Sequence, residues 1–335
     1  MLIIVPPATL VRQFYSFIID KAMDLVANKA MTVDGQTIAK SAFKRLFVDD
    51  CEITAAGADC AFFEMSGERA APPILERISA ALAVGDPLSL VRVGNGEGNA
   101  IALIEGRPSP TLFDGFDFEF GSQNGCSIAP DLAVPFSRLV FDAIIAADIQ
   151  GYRIGRFDER AVACECLVSG KTSPALGITY ARSLFARQVR SGNSGSKWFT
   201  NAWIHFDLMQ RFDELIANAA KVVIISGRGE LAPRFKDRLG SRLAWFASVP
   251  VQGFAPPSLA ASHYAMFPSV RDRLRRADLR GTLVLVGAGL FGKVYCNDAR
   301  KAGGVAIDMG SAFDLMAGFA TRPVHKQFDL SSINW

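Results

Sequence analysis

Three stretches of the chain place glycines beside charged or amide side chains directly after an apolar run. They are Gly94-Asn95-Gly96-Glu97-Gly98, Ser226-Gly227-Arg228-Gly229-Glu230 and Gly287-Ala288-Gly289-Leu290-Phe291-Gly292. Glycine lets a ligand approach the backbone closely. A helix that starts after such a turn presents unpaired N–H groups and a partial positive charge, which suits phosphate. Three turns of this design in one sheet point to a ligand that carries a pyrophosphate. Gly94, Gly96, Ser226, Gly287 and Gly289 are then the candidate diphosphate contacts, with Arg92 and Arg228 as charge partners. In the first turn, Asn95 and Glu97 offer an amide oxygen and a carboxylate two positions apart at a strand end. Such hard oxygen donors suit Mg2+ or Mn2+ held by a diphosphate. The other reading of the same spacing has Glu97 capping the helix dipole and Arg92 in a salt bridge within the sheet.

The third turn also matches G-x-G-x-x-G, with Asp308 at about the distance expected of a ribose-binding acid. That pattern alone supports an NAD(P)-dependent oxidoreductase. Its place late in the chain argues against this, because the fingerprint usually opens a mononucleotide-binding half. Asp308, at the end of the last apolar strand, is the candidate for a ribose or other ligand hydroxyl contact or for a general base. Glu230 is a second candidate base, or else a first-turn helix acid.

These turns need elements to hold them. Leu88–Val93, Lys221–Ile225, Leu243–Val251, Thr282–Val286 and Val305–Ile307 read as strands, and the most apolar of them as strands buried on both faces. Helices are expected over Ile74–Val84, Ala100–Ile104, Asp131–Ala147, the segment from Glu230 through Leu239, Ser269–Ala277 and Phe291–Ala302. The alternation predicts a Rossmann-like, mostly parallel α/β sheet with helices on both faces. In such a sheet ligands bind at the C-terminal ends of the strands. Val11 to Val26 reads as an amphipathic helix packed on its own domain, since its polar face is not basic. The expected organisation is a partly helical N-terminal extension over 1–85, a domain over 86–320 and a tail over 321–335, with a soft boundary near 70–85.

Composition narrows the classes. Of 335 residues, 50% are hydrophobic and 21% charged, which excludes a disordered chain. Net charge is +3, from 36 basic and 33 acidic residues, so nothing marks a polyanion binder. No reading motif or aromatic interleaving points to nucleic acid. No stretch reaches the ~20 apolar residues of a membrane span, and the first residues lack the basic region of a signal peptide. Six cysteines in a chain of this size are no disulfide scaffold. A cytoplasmic location is therefore expected. With only His205, His263 and His325, a His-rich zinc site is not expected, and Cys164 and Cys166 read as structural. The arginines of Arg271–Arg280 read as a solvated helix face, with a lipid headgroup or anionic acceptor as the other reading. Lys197–Trp203 reads as packing before it reads as an acceptor platform.

The run Ser89-Leu90-Val91-Arg92-Val93-Gly94-Asn95-Gly96-Glu97 resembles the S-x-x-R-x-G-D-G-E opening of the bacterial GT-D-type glycosyltransferase domain, which carries a D-x-E motif. Leu283 to Gly292 with Gly303-Gly304-Val305-Ala306-Ile307-Asp308-Met309-Gly310 resembles that family's closing strand, helix and D-I-G segment. Val249–Phe254 is similar to its I-x-P-x-x-N-A-F strand end, and Val222–Arg228 falls where the family has another ligand loop. The resemblance covers about Ser89 to Gly318. It implies a glycosyltransferase that uses a nucleotide-diphosphate sugar, such as a UDP-hexose, with a glycan or glycoprotein as acceptor. It also implies a divalent metal, Mn2+ or Mg2+, at Asn95 and Glu97, with Glu97 and Asp308 as catalytic candidates. Asn95 stands where the family usually has Asp and brings no charge, which implies weaker metal affinity. Ser311 stands where better-known members carry His, so no role carries over to it. A catalytically inactive nucleotide-binding module is the remaining alternative.

Overall fold

The computed structural model describes residues 71–106, 109–153, 173–190, 197–251, 259–321 and 325, together with a two-residue-per-strand hairpin at 32–33 and 36–37. The expected helix over Val11–Val26, the Cys164/Cys166 pair and Gln252–Phe254 lie outside the described residues.

Seven strands form one sheet: β1 (Leu88–Val93), β2 (Ile149–Tyr152), β3 (Trp198–Asn201), β4 (Lys221–Ser226), β5 (Leu243–Ser248), β6 (Thr282–Gly287) and β7 (Val305–Asp308). Their order is β3-β2-β1-β7-β6-β4-β5, and every pairing is parallel. Eleven helices accompany them among the described residues: α1 (Ala71–Val84), α2 (Asn95–Glu105), α3 (Pro110–Asn124), α4 (Pro130–Ala146), α5 (Ser173–Arg190), α6 (Ile204–Gln210), α7 (Phe212–Ile216), α8 (Ala232–Leu239), α9 (His263–Arg276), α10 (Gly289–Lys301) and α11 (Ala312–Met316).

Side chains alternate along each strand and feed two cores. Val91, Val93, Val223, Ile225, Val284 and Val286 face the layer built by α2–α5, α9 and α10. Leu88, Leu90, Val222, Ile224, Leu283 and Leu285 face α1, α6–α8 and α11. Each such fully buried side chain contributes roughly 1.5–3 kcal/mol relative to exposure. Ile74, Leu75, Ile78 and Leu82 of α1 belong to the second core, so this helix is part of the domain. The connections from β4 to β5 and from β6 to β7 run in opposite directions across the sheet. The crevice between such diverging connections is where open α/β sheets bind ligands.

Several elements differ from the sequence expectation. The first turn is shorter than expected: α2 starts at Asn95, because the Glu97 carboxylate folds back to accept the Gly94 N–H at 2.8 Å. α9 starts at His263, six residues before the expected Ser269, because the Ser262 hydroxyl accepts the Tyr264 N–H at 3.1 Å. β5 ends at Ser248, short of Val251. β2 and β3 have four residues each, too few for a period to emerge.

α2 and α5 cross almost in backbone contact. A Cβ on Gly98 would lie 1.7 Å from the Gly177 carbonyl oxygen, and one on Gly177 would lie 2.0 Å from that of Asn95. This crossing fixes the start of α2 and hence the first glycine turn. Gly98→Ala should therefore lower the unfolding free energy by about 3 kcal/mol through overpacking. The same change at Gly121 of α3, where the nearest atom would be 3.8 Å away, should be neutral or add up to about 1 kcal/mol. Urea unfolding of the two variants measures both, and equal effects would contradict the crossing.

Candidate functional site

All seven strands end at one cavity of about 220 Å³. Its lining includes Gly94–Glu97 after β1, Arg153 after β2, Ala202 and Trp203 after β3, and Ser226–Arg228 at the end of β4. Pro250 and Val251 after β5, Gly287–Gly289 at the end of β6, and Gly310 and Ser311 after β7 complete it. Four basic side chains, Arg92, Arg153, Arg228 and Lys293, face three carboxylates, Glu97, Glu119 and Asp314, around it.

The floor is a quartet of charges in which Glu97, Lys293 and Asp308 are buried and Arg92 is partly so. Lys293 Nζ lies 2.5 Å from Glu97 Oε1 and 3.0 Å from Asp308 Oδ2, and it donates to the Gly289 carbonyl at 3.2 Å. Asp308 Oδ2 also accepts the Arg92 backbone N–H at 3.2 Å and lies 3.6 Å from Arg92 Nε. The Arg92 guanidinium then reaches Ala202 O at 3.1 Å and the ring of His205. His205 Nδ1 lies 3.0 Å from Ala202 O. This pattern fits a neutral imidazole that donates from Nδ1 and accepts the Arg92 N–H at Nε2. Gly310 leaves room for the guanidinium: a Cβ there would lie 1.8 Å from Arg92 Nη2.

Around the rim, Asn95 Nδ2 donates to Glu119 Oε1 at 3.0 Å, and Arg153 Nη1 approaches Asn95 Oδ1 at 3.4 Å. The Arg153 guanidinium lies 5.4 Å from the centre of the Trp203 ring. Opposite, Arg228 Nε pairs with Asp314 Oδ1 at 2.6 Å beneath the ring of Phe319. At the start of α10, Gln123 Oε1 accepts the Leu290 N–H at 2.9 Å. His325 Nε2 lies 3.2 Å from the Ser311 hydroxyl.

A family model described as the GT-D fold-like domain matches residues 70–316, from the start of α1 to the end of α11. The chain belongs to this family. No curated protein and no solved structure matches it.

In this GT-D-like domain the structure brings Arg92, Gly94, Asn95, Gly96, Glu97, Ser226, Arg228, Gly287 and Gly289 to one cavity. Asp308 is placed differently from the expectation. It is wholly buried behind Lys293 and outside the cavity lining, with its Oδ2 facing Lys293 and Arg92. Glu230 lies outside the lining and half exposed, 3.9 Å from Arg228. The sequence reading did not single out Lys293, Glu119, Arg153, Gln123 and His205. Lys293 sits directly after the glycine fingerprint, a signal that could have found it. The others come from distant segments and leave no local pattern.

The residues expected to hold a divalent cation do not fit one as placed. Both Glu97 oxygens are engaged, one by an ammonium group and one by the Gly94 N–H. The Asn95 amide is committed to Glu119 and Arg153. Among the described residues, no group of three or more His, Cys, Asp and Glu could hold a metal ion.

Charge states follow from burial and pairing. Burial pulls the Lys293 amine down, but Asp308 and Glu97 outweigh it and the net shift is upward. Burial pushes Asp308 up, yet Lys293 and Arg92 hold it below its ordinary value. Burial, reinforced by Arg92, pulls His205 well down. Burial alone lowers His263, which stacks on Phe291, to about 3. For these histidines the unfolded chain binds the proton first. Their contribution to stability is thus complete above about pH 6.5 and lost as pH falls toward the folded value. Unfolding free energy should fall by up to about 1.4 kcal/mol per pH unit per buried histidine below pH ~6.5. In urea unfolding between pH 6.5 and pH 4, His263→Gln should remove one histidine's share of that slope. An unchanged slope would show that His263 titrates normally.

Proposed function

We propose that the GT-D-like domain is a glycosyltransferase that moves a sugar from a nucleotide-diphosphate sugar, a UDP-hexose being the first choice, to a glycan or glycoprotein hydroxyl. The observation that carries this reading is the cavity at seven parallel strand ends, lined by four basic side chains and three carboxylates and flanked by the starts of α2 and α10. In transfer, the bond from the anomeric carbon to the diphosphate breaks and its electron pair leaves with the phosphate oxygen. The acceptor oxygen bonds to that carbon, and the acceptor proton passes to a cavity carboxylate. Fixed positive charge beside the departing diphosphate lowers the barrier.

Backbone at Gly94–Gly96 and the guanidinium of Arg228 suit the diphosphate, and the Trp203 ring suits a base or sugar face. Glu97, Glu119 and Asp314 are the carboxylates that line the cavity. Two features weigh against a dinucleotide. Gln123 already fills the Leu290 N–H at the fingerprint helix, and the acid expected for the ribose, Asp308, is sealed behind Lys293.

A thermal-shift titration with UDP-, GDP- and CMP-sugars, NAD and NADP tests the reading. One sugar nucleotide class should raise the melting temperature by mass action, and the dinucleotides should not. Arg228→Ala should weaken that sugar nucleotide by roughly tenfold or more, the loss of a charge-assisted contact. A shift with NAD or NADP alone would replace the transferase with an oxidoreductase. Binding without transfer to any acceptor would leave a nucleotide-binding module.

A further inference from the structure

Resting on the transferase reading, we infer that the cation of this site is Lys293 itself, acting with Arg92, and that donor binding and transfer need no divalent metal. The Lys293 ammonium sits among three oxygens: Glu97 Oε1 at 2.5 Å, Asp308 Oδ2 at 3.0 Å and Gly289 O at 3.2 Å. Two carboxylates and a carbonyl are donors that magnesium and manganese favour. Here a side chain from α10 fills the space between them.

The charge balance agrees. A divalent ion on two carboxylates forms a neutral cluster, and Lys293 with Arg92 on Glu97 with Asp308 forms one too. An aspartate at position 95 would add a negative charge that these two cations do not balance, whereas Asn95 adds none. An entering metal ion would have to expel an ammonium that is tethered by its own helix and that already donates to three acceptors. The bonds made and broken are those of the transfer above. Lys293 stays protonated throughout and contributes charge, not a proton.

Manganese binding to the full-length protein, followed by electron paramagnetic resonance, tests this together with calorimetric titration of the sugar nucleotide in EDTA and in manganese. Wild type should bind no manganese that depends on Glu97, and its affinity for the sugar nucleotide should be the same in both buffers. Lys293→Ala empties the oxygen cage. It should gain a manganese site, lose donor affinity by roughly tenfold or more in EDTA, and regain it when manganese is added. Manganese bound to wild type and abolished by Glu97→Gln would overturn the inference, as would donor binding that requires manganese. If no sugar nucleotide binds in either buffer, the transferase reading fails, while the manganese signals of wild type and Lys293→Ala still decide which cation the cage holds. Should Lys293→Ala not fold, the wild-type manganese and EDTA measurements decide the matter alone.

Discussion

The contact between the Lys293 ammonium and the carboxylates of Glu97 and Asp308 is the constraint around which the strand ends are built. Taking an ion out of water costs several kcal/mol, and mutual pairing offsets that only when the geometry is good. Arg92 comes from β1, Glu97 from the first turn of α2, Lys293 from α10 and Asp308 from the end of β7. No member can be satisfied unless all four elements are in register. The quartet therefore joins the two central strands and the two glycine-rich turns into one rigid floor. Gly310 is part of the same solution, because only a residue without a side chain leaves the Arg92 guanidinium its place.

The layers around the floor hold it in position. Apolar strands press on two helical layers, and the glycine crossing of α2 and α5 sets where α2 begins. The amide of Asn95 and the carboxylate of Glu119 then form one side of the rim, and the Arg228–Asp314 pair forms the other. Most charges of the cavity wall have an internal partner. Four basic side chains face three carboxylates there, so the cavity wall is close to charge balance.

Much of this was legible in the sequence, for identifiable reasons. Short β-branched apolar runs such as Val222–Ile225 and Leu283–Val286, bounded by glycines, read as buried strands followed by turns at the strand ends. Those two signals were enough for the α/β class and for the position of the cavity. The family resemblance located the same turns. What spacing could not disclose is which side chain answers which. Glu97 was equally a metal ligand or a helix cap by local pattern. It proved to be the cap of its own helix and the partner of a lysine almost two hundred residues away. Asp308 read as a ligand contact because the motif puts an acid there, yet its neighbours seal it in. Short buried strands such as β2 and β3 carry no period, so Arg153 was not placed in the site and Trp203 was read as packing before it was read as an acceptor platform.

The most direct test of the account is a crystal structure of the protein with a bound nucleoside-diphosphate sugar. The account predicts the diphosphate at the strand ends between Gly94–Gly96 and Arg228, with the Lys293–Glu97 contact intact beneath it. A nucleotide bound away from the strand ends, or a diphosphate there with Lys293 swung out of the quartet, would contradict it.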